Sequence, residues 1–217
     1  MPSRAASPPP DPRSSRTGTR WRPPPRRSWR TLARARHRQE GTRLELLDLA
    51  RIDAGHINLD ARPLCLTALL REALDDQQPS ADTIGLTLIG GLGAPLTIRG
   101  DTSRLRQVID NLLSNAINYT PPGGTVAVTA EPADGGVRVR ISDTGIGIPA
   151  EQLPHLFTRF FRASTALEHG IKGTGLGLAV TKAIIEAHHG SITAQPAPGG
   201  GTRFTVWLPH TGAATGA

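Results

Sequence analysis

Asn111, Asn115 and Asn118 stand at i, i+4 and i+7 of a segment whose apolar residues, Leu105, Val108, Ile109, Leu112, Leu113, Ala116 and Ile117, recur at helical spacing. At about 100° per residue the three amides share a stripe roughly 60° wide beside the apolar face. Asparagine costs about half a kcal/mol in a helix relative to alanine, so three within two turns call for a reason. Two readings stand at this point. One is a solvated flank. The other is a site in which neutral amide oxygens complete the shell of a hard cation such as Mg²⁺, whose remaining ligands are water and phosphate.

Two glycine-rich segments follow. Val137-Arg138-Val139-Arg140-Ile141 alternates like a half-buried strand and runs into Ser142-Asp143-Thr144-Gly145-Ile146-Gly147. Asp143 at the strand end is acceptor-only and suited to an exocyclic amine, although Asp and Gly are also ordinary turn residues. Further on, Gly173-Thr174-Gly175-Leu176-Gly177 opens an amphipathic helix carrying Leu178, Val180, Ile184 and Ile185. Backbone N–H groups at such a start, with the positive end of the helix dipole, suit phosphate. No Gly-Lys-Ser/Thr follows, so this is not the phosphate loop of that type. Between the two lies Leu156-Phe157-Thr158-Arg159-Phe160-Phe161-Arg162, then the polar stretch 163–172. Three of the chain's four Phe beside two Arg read as a lid over an anionic ligand, or as a surface helix.

The elements that must hold these groups are legible in outline. Asp101, with Thr102 and Ser103 after it, caps the Asn-bearing helix. A helix is expected from Leu64 after Pro63, losing its pattern by Pro79, with strands around 86–89, 96–98 and 191–194, followed by the run 199–209 at the chain's end. An amphipathic helix at 44–54, ended by Gly55, needs a partner helix.

Of the 217 residues, the first forty hold eleven Arg against Asp11 and Glu40, a net +9 in a chain of net +7, which leaves residues 41–217 at −2. Eight of the nineteen prolines fall in the same forty residues, so a disordered tail is expected there, and any nucleic-acid binding would rest on that tail alone. The single cysteine, Cys65, excludes a disulfide framework and a Cys-based zinc site. With no apolar run long enough to span a membrane, a cytoplasmic location is expected.

In joint order these motifs resemble the ATP-binding catalytic domain of bacterial sensor histidine kinases, in the Bergerat-type fold shared with gyrase-like ATPases. Arg106–Ala116 is similar to the family's N box, Asp143–Gly147 to its first glycine box, Leu156–Arg162 to its F box and Gly173–Leu178 to its second glycine box. Leu46–Gly55 resembles the end of the dimerisation and phosphotransfer hairpin. The resemblance implies an α/β sandwich, a mixed β-sheet with helices on one face. It divides the chain into a tail at 1–40, a hairpin remnant at 41–58, an ATP-binding domain at 59–210 and a tail at 211–217.

The resemblance also implies roles. Asn115 is the expected Mg²⁺ ligand, assisted by Asn111. Tyr119 packs near adenine, Asp143 accepts from its amino group, and Gly145 and Gly147 shape that pocket. Arg159 reaches the terminal phosphate, Gly173, Thr174, Gly175, Leu176 and Gly177 approach the polyphosphate, and Thr202 hydrogen-bonds near adenine. The implied activity is transfer of the ATP γ-phosphoryl to a histidine. A response regulator, a histidine-bearing chain and a homodimeric partner are the implied associates.

Asn118 departs from the Lys that many members carry there. No His followed by Glu-Leu-Arg precedes residue 46, and His37 is followed by Arg38-Gln39-Glu40, which does not match; autophosphorylation by this chain alone is therefore not expected, and transfer to a histidine supplied by another chain stays open. His56, His155, His169, His188 and His189 are expected to be structural. Two alternatives remain: a non-catalytic nucleotide-binding module, and a serine-directed kinase of the same fold, against which the 46–55 segment argues.

Overall fold

The computed structural model describes residues 58–210. The tail at 1–40, the helix at 44–54 with all but the last residue of the expected hairpin remnant, and the tail at 211–217 lie outside the described residues.

Among the described residues, seven strands and four helices follow in the order β1 (Arg62–Cys65), α1 (Leu66–Ile84), β2 (Thr87–Leu92), β3 (Thr97–Gly100), α2 (Thr102–Asn118), β4 (Thr125–Ala133) and β5 (Gly136–Asp143). A 3₁₀ turn at Ala150–His155 and the short α3 (Ser164–Glu168) come next, then α4 (Gly177–Ala187), β6 (Ser191–Pro196) and β7 (Thr202–Pro209). Five strands form one mixed sheet in the order β2-β4-β5-β7-β6, with β2 parallel to β4 and the other pairs antiparallel. β1 and β3 form a separate antiparallel ribbon.

Strict alternation makes the sheet one-sided. Val137, Val139 and Ile141 of β5 and Phe204, Val206 and Leu208 of β7 are buried, while Arg138, Arg140, Arg203 and Thr205 between them are half-exposed. The register stacks the buried set across strands, Val128 opposite Ile141, Ile141 opposite Phe204, and Val139 opposite Val206. Against this face lie the apolar stripes of α1 (Leu66, Leu70, Leu74), α2 (Leu105, Leu112, Leu113) and α4 (Val180, Ile184, Ile185) in one continuous core. This is the expected sandwich of a mixed sheet with helices on one face.

Three local expectations change. Leu64 belongs to β1 rather than to the following helix, because Arg62–Cys65 pairs with Thr97–Gly100. α1 continues through Pro79 to Ile84 and ends on Gly85 in the left-handed region (φ 72). Asp75 and Pro79 both lie on the exposed side, so the carbonyl that the proline leaves without a donor faces water, while Ala81 still reaches the core. β4, which carries Val126 and Val128 into the core, has no counterpart among the expected strands. It joins β5 through Asp134-Gly135, both at positive φ (45 and 72), a two-residue turn suited to the twist of a hairpin.

Candidate nucleotide-binding cleft

α2 is held at both ends, and this fixes its amide stripe. At its start Asp101 Oδ1 accepts from the N–H groups of Ser103 (3.0 Å) and Arg104 (3.1 Å), and Oδ2 accepts from the Asp60 N–H at 3.1 Å. Burial pushes the Asp101 carboxyl up, but the Ser103 hydroxyl and the three N–H groups outweigh it and leave its pKa lowered. The Asp101 N–H in turn donates to Nε2 of His188 at 2.9 Å, while His188 Nδ1 lies 2.8 Å from the Ile184 carbonyl. His188 is buried at the end of α4, so this bond ties the end of one helix to the start of the other. Burial lowers the imidazole pKa and keeps the ring neutral, the form that can accept from Asp101.

Near the middle of α2, Asn111 Nδ2 donates to Thr181 Oγ1 of α4 at 2.8 Å. A Cβ on Gly177 would lie 2.6 Å from Asn111 Oδ1, so glycine is what lets the start of α4 come this close. At the far end the Tyr119 carbonyl accepts from the Ile146 N–H at 3.0 Å, which fastens the loop after β5 to the helix. A Cβ on Gly145 would lie 2.3 Å from that same carbonyl.

Asp143 closes β5. Its Oδ1 accepts from the N–H of Gly145 at 2.9 Å and of Thr202 at 3.1 Å, which leaves Oδ2 with accepting capacity. The residue is 4% exposed, and burial pushes its pKa up against those two hydrogen bonds.

The segment between the glycine loops is pinned at its base. Gln152 exchanges two hydrogen bonds with Ser164 (3.0 and 2.9 Å), and Thr165 donates to the Gly147 carbonyl at 3.0 Å. Phe160 adopts φ 61 and its N–H donates to the Gly175 carbonyl at 2.9 Å. Arg162 donates to the Ile171 carbonyl.

These elements enclose one cleft. Asn111, Asn115, Asn118 and Tyr119 line it from α2, Asp143 and Gly147 from the first loop, Gly173, Thr174, Gly175 and Gly177 from the second, and Thr202 from β7. Of the residues expected at the site, Gly145, Leu176 and Arg159 are not in the lining; Leu176 is buried and Arg159 is exposed. Gly145 sits behind the wall, where its lack of a side chain admits the Tyr119 carbonyl. The cations that do line the cleft are Arg162 and Lys172, with Phe161 and Thr165 beside them. The family resemblance pointed to Arg159, whereas the arginine of this segment that lines the cleft is Arg162. Thr181, held against Asn111, was also missed; its only sequence signal is a hydroxyl one turn after Gly177. The amide stripe runs about 10 Å from Asn111 to Asn118, at about 1.5 Å per residue.

A cation would find the donors it needs here. Among the described residues no cluster of three His, Cys, Asp or Glu could hold a metal, so it would rest on amide oxygen, water and ligand phosphate. The Asn115 amide lines the cleft and has no hydrogen-bond partner among the described residues. Such an oxygen-only, partly hydrated set fits Mg²⁺.

Residues 100–212 match the family model of histidine kinase-, DNA gyrase B- and HSP90-like ATPases. The chain belongs to this family. Its domain is the ATP-binding catalytic domain of the sensor histidine kinase kind. The circadian input-output histidine kinase CikA of Synechococcus elongatus is 40% identical over 169 residues, covering 76% of this chain and 22% of that protein. The sensor protein DivL of Caulobacter vibrioides is 40% identical over 171 residues, 77% of this chain and 21% of that protein. The chain thus matches about a fifth of the length of these relatives. Among solved structures, the catalytic domain of the histidine kinase ThkA superposes with a TM-score of 0.64 at 28% identity, over 70% of this chain and 97% of that one. Full-length ShkA in complex with AMPPNP superposes with a TM-score of 0.69 at 31% identity, over 87% of this chain and 40% of that one. No helix among the described residues is long and apolar enough to cross a membrane.

Proposed function

We propose that the cleft binds magnesium ATP and that the chain is the nucleotide-binding part of a protein-histidine kinase. The observation that carries this is the convergence of Asn111, Asn115, Asp143 and the Gly173–Gly177 turns on a single cleft. Asp143 Oδ2 accepts the exocyclic amine of adenine, with Oδ1 locked by Gly145 and Thr202 so that the free oxygen is aimed. Tyr119 and Ile148 offer the base flat apolar surface. Asn115 holds the metal and Asn111 assists it. Bound there, Mg²⁺ would neutralise phosphate charge and orient the terminal phosphoryl for in-line transfer.

Backbone N–H groups of Gly173 and Gly175 and the start of α4 at Gly177 face the phosphates, and Arg162 and Lys172 supply the positive side chains from the lid. Most of the work assigned to the chain is positioning and charge neutralisation, which the observed arrangement suits. In this reading residues 59–210 are the ATP-binding unit and 41–58 the remnant of a phosphotransfer hairpin. The acceptor is a histidine on a partner chain, and a response regulator takes the phosphoryl onward.

The test incubates the purified chain with γ-labelled ATP, magnesium and a separate histidine-bearing helical hairpin. Acid-labile label on the hairpin is the expected result. Nucleotide binding without any such label would leave a binding module rather than a kinase.

A further inference from the structure

Thr181 belongs to α4, is 1% exposed and does not line the cleft, yet its hydroxyl touches a residue that does. Asn111 Nδ2 donates to Thr181 Oγ1 at 2.8 Å, across seventy residues of chain. An amide side chain has two chemically opposite faces, and a half-turn about its last bond exchanges donor for acceptor. A hydroxyl can accept or donate, so the orientation is selected by what faces the amide on its other side. The Thr181 oxygen accepts on one side. On the other, Asn111 Oδ1 faces Gly177 at the start of α4, where a Cβ would lie 2.6 Å from Oδ1 and 3.1 Å from Nδ2. Exposed N–H groups and the positive end of the dipole favour an acceptor there and disfavour a second donor.

We infer that Thr181 is a positioning residue that holds the Asn111 amide with its oxygen toward the cation and phosphates. This rests on the reading of the cleft as a magnesium-nucleotide site. Thr181 touches no ligand in this account and acts only through Asn111. Without the hydroxyl, Nδ2 loses its partner and the amide is free to turn its donor face into the cleft, against the metal.

The full chain, wild type and variant, is titrated with ATP in magnesium and again in excess chelator, and the ratio of the two affinities is the readout. Both values come from the same sample, so a reduced folded fraction cancels. Thr181→Val is expected to lower the ratio about fivefold, the size of one hydrogen bond, while Thr181→Ser, which restores the hydroxyl, stays near wild type. In an Asn111→Ala background Thr181→Val is expected to change nothing further. A wild-type ratio in Thr181→Val, or a full additional loss in the Asn111→Ala background, overturns the inference while leaving the site reading standing. An unchanged ratio in Asn111→Ala itself overturns both.

Discussion

Asp143 and Thr202 lie fifty-nine residues apart in sequence and share one hydrogen bond, from the Thr202 N–H to Asp143 Oδ1 at 3.1 Å. Gly201, at φ 81, makes this possible: a Cβ there would lie 2.1 Å from the Asp143 carbonyl. The start of β7 thereby holds a buried carboxylate whose burial raises its pKa. A folded-state pKa above the unfolded one means that the ionised group works against folding, so its contribution is best at acid pH and is lost as pH rises through the raised value. Asp143→Asn keeps the Oδ1 acceptor and removes the charge. It is expected to raise the melting temperature of the nucleotide-free chain at pH 7 and to lose that gain below the ordinary aspartate range. The same variant replaces Oδ2 with a donor, so calorimetry should show ATP affinity falling at least tenfold, about 1.4 kcal/mol.

His188 gives the opposite sign. Its pKa is lowered by burial, so its contribution to stability is intact above the ordinary imidazole range and is lost as pH falls through the lowered value. Between pH 7.5 and 5.5 the wild type should lose more thermal stability than His188→Gln, which keeps an acceptor for the Asp101 N–H but takes up no proton. Parallel melting curves for the two proteins would refute the assignment.

Asn115→Ala is expected to weaken ATP binding about tenfold in magnesium and to leave it unchanged in chelator. Equal losses under both conditions would mean that the amide contacts the nucleotide rather than the metal.

Gly177 and Gly145 are expected to fail in different ways. In Gly177→Ala the new Cβ meets the Asn111 side chain, which can swing, and alanine is the better helix former by about 1 kcal/mol. Stability should hold and magnesium-dependent affinity should drop. In Gly145→Ala the Cβ meets the backbone carbonyl of Tyr119 at 2.3 Å, which cannot swing. The melting temperature should fall by several degrees, read by calorimetry without ligand.

Arg162→Gln should weaken ATP binding more than Arg159→Gln, because only Arg162 lines the cleft. The reverse ranking would favour Arg159, the arginine that the family resemblance implies.

The parts of the site that follow from residue type on a regular element were readable in advance. The Asn stripe lies on a helix with an unambiguous apolar period, and Asp143 ends a clean alternation. β4 escaped because Thr125-Val126-Ala127-Val128-Thr129-Ala130 alternates with small residues and runs into Pro132, although Asp134-Gly135 marked the hairpin. The course of α1 through Pro79 depends on which side of the helix meets water, a tertiary fact. Which of Arg159 and Arg162 lines the cleft is a tertiary fact, and Thr181 becomes visible only when two distant helices meet. Membership of the ATPase family was legible from the order of the motifs, which is the property a family model also reads.

The clasp between α2 and α4, through Asp101 with His188 at one end and Asn111 with Thr181 further along, has an architectural corollary. It makes the floor of the cleft a two-beam truss braced independently of its roof. Exchanges in 163–172 are therefore expected to change how the cleft is covered while its floor keeps its shape.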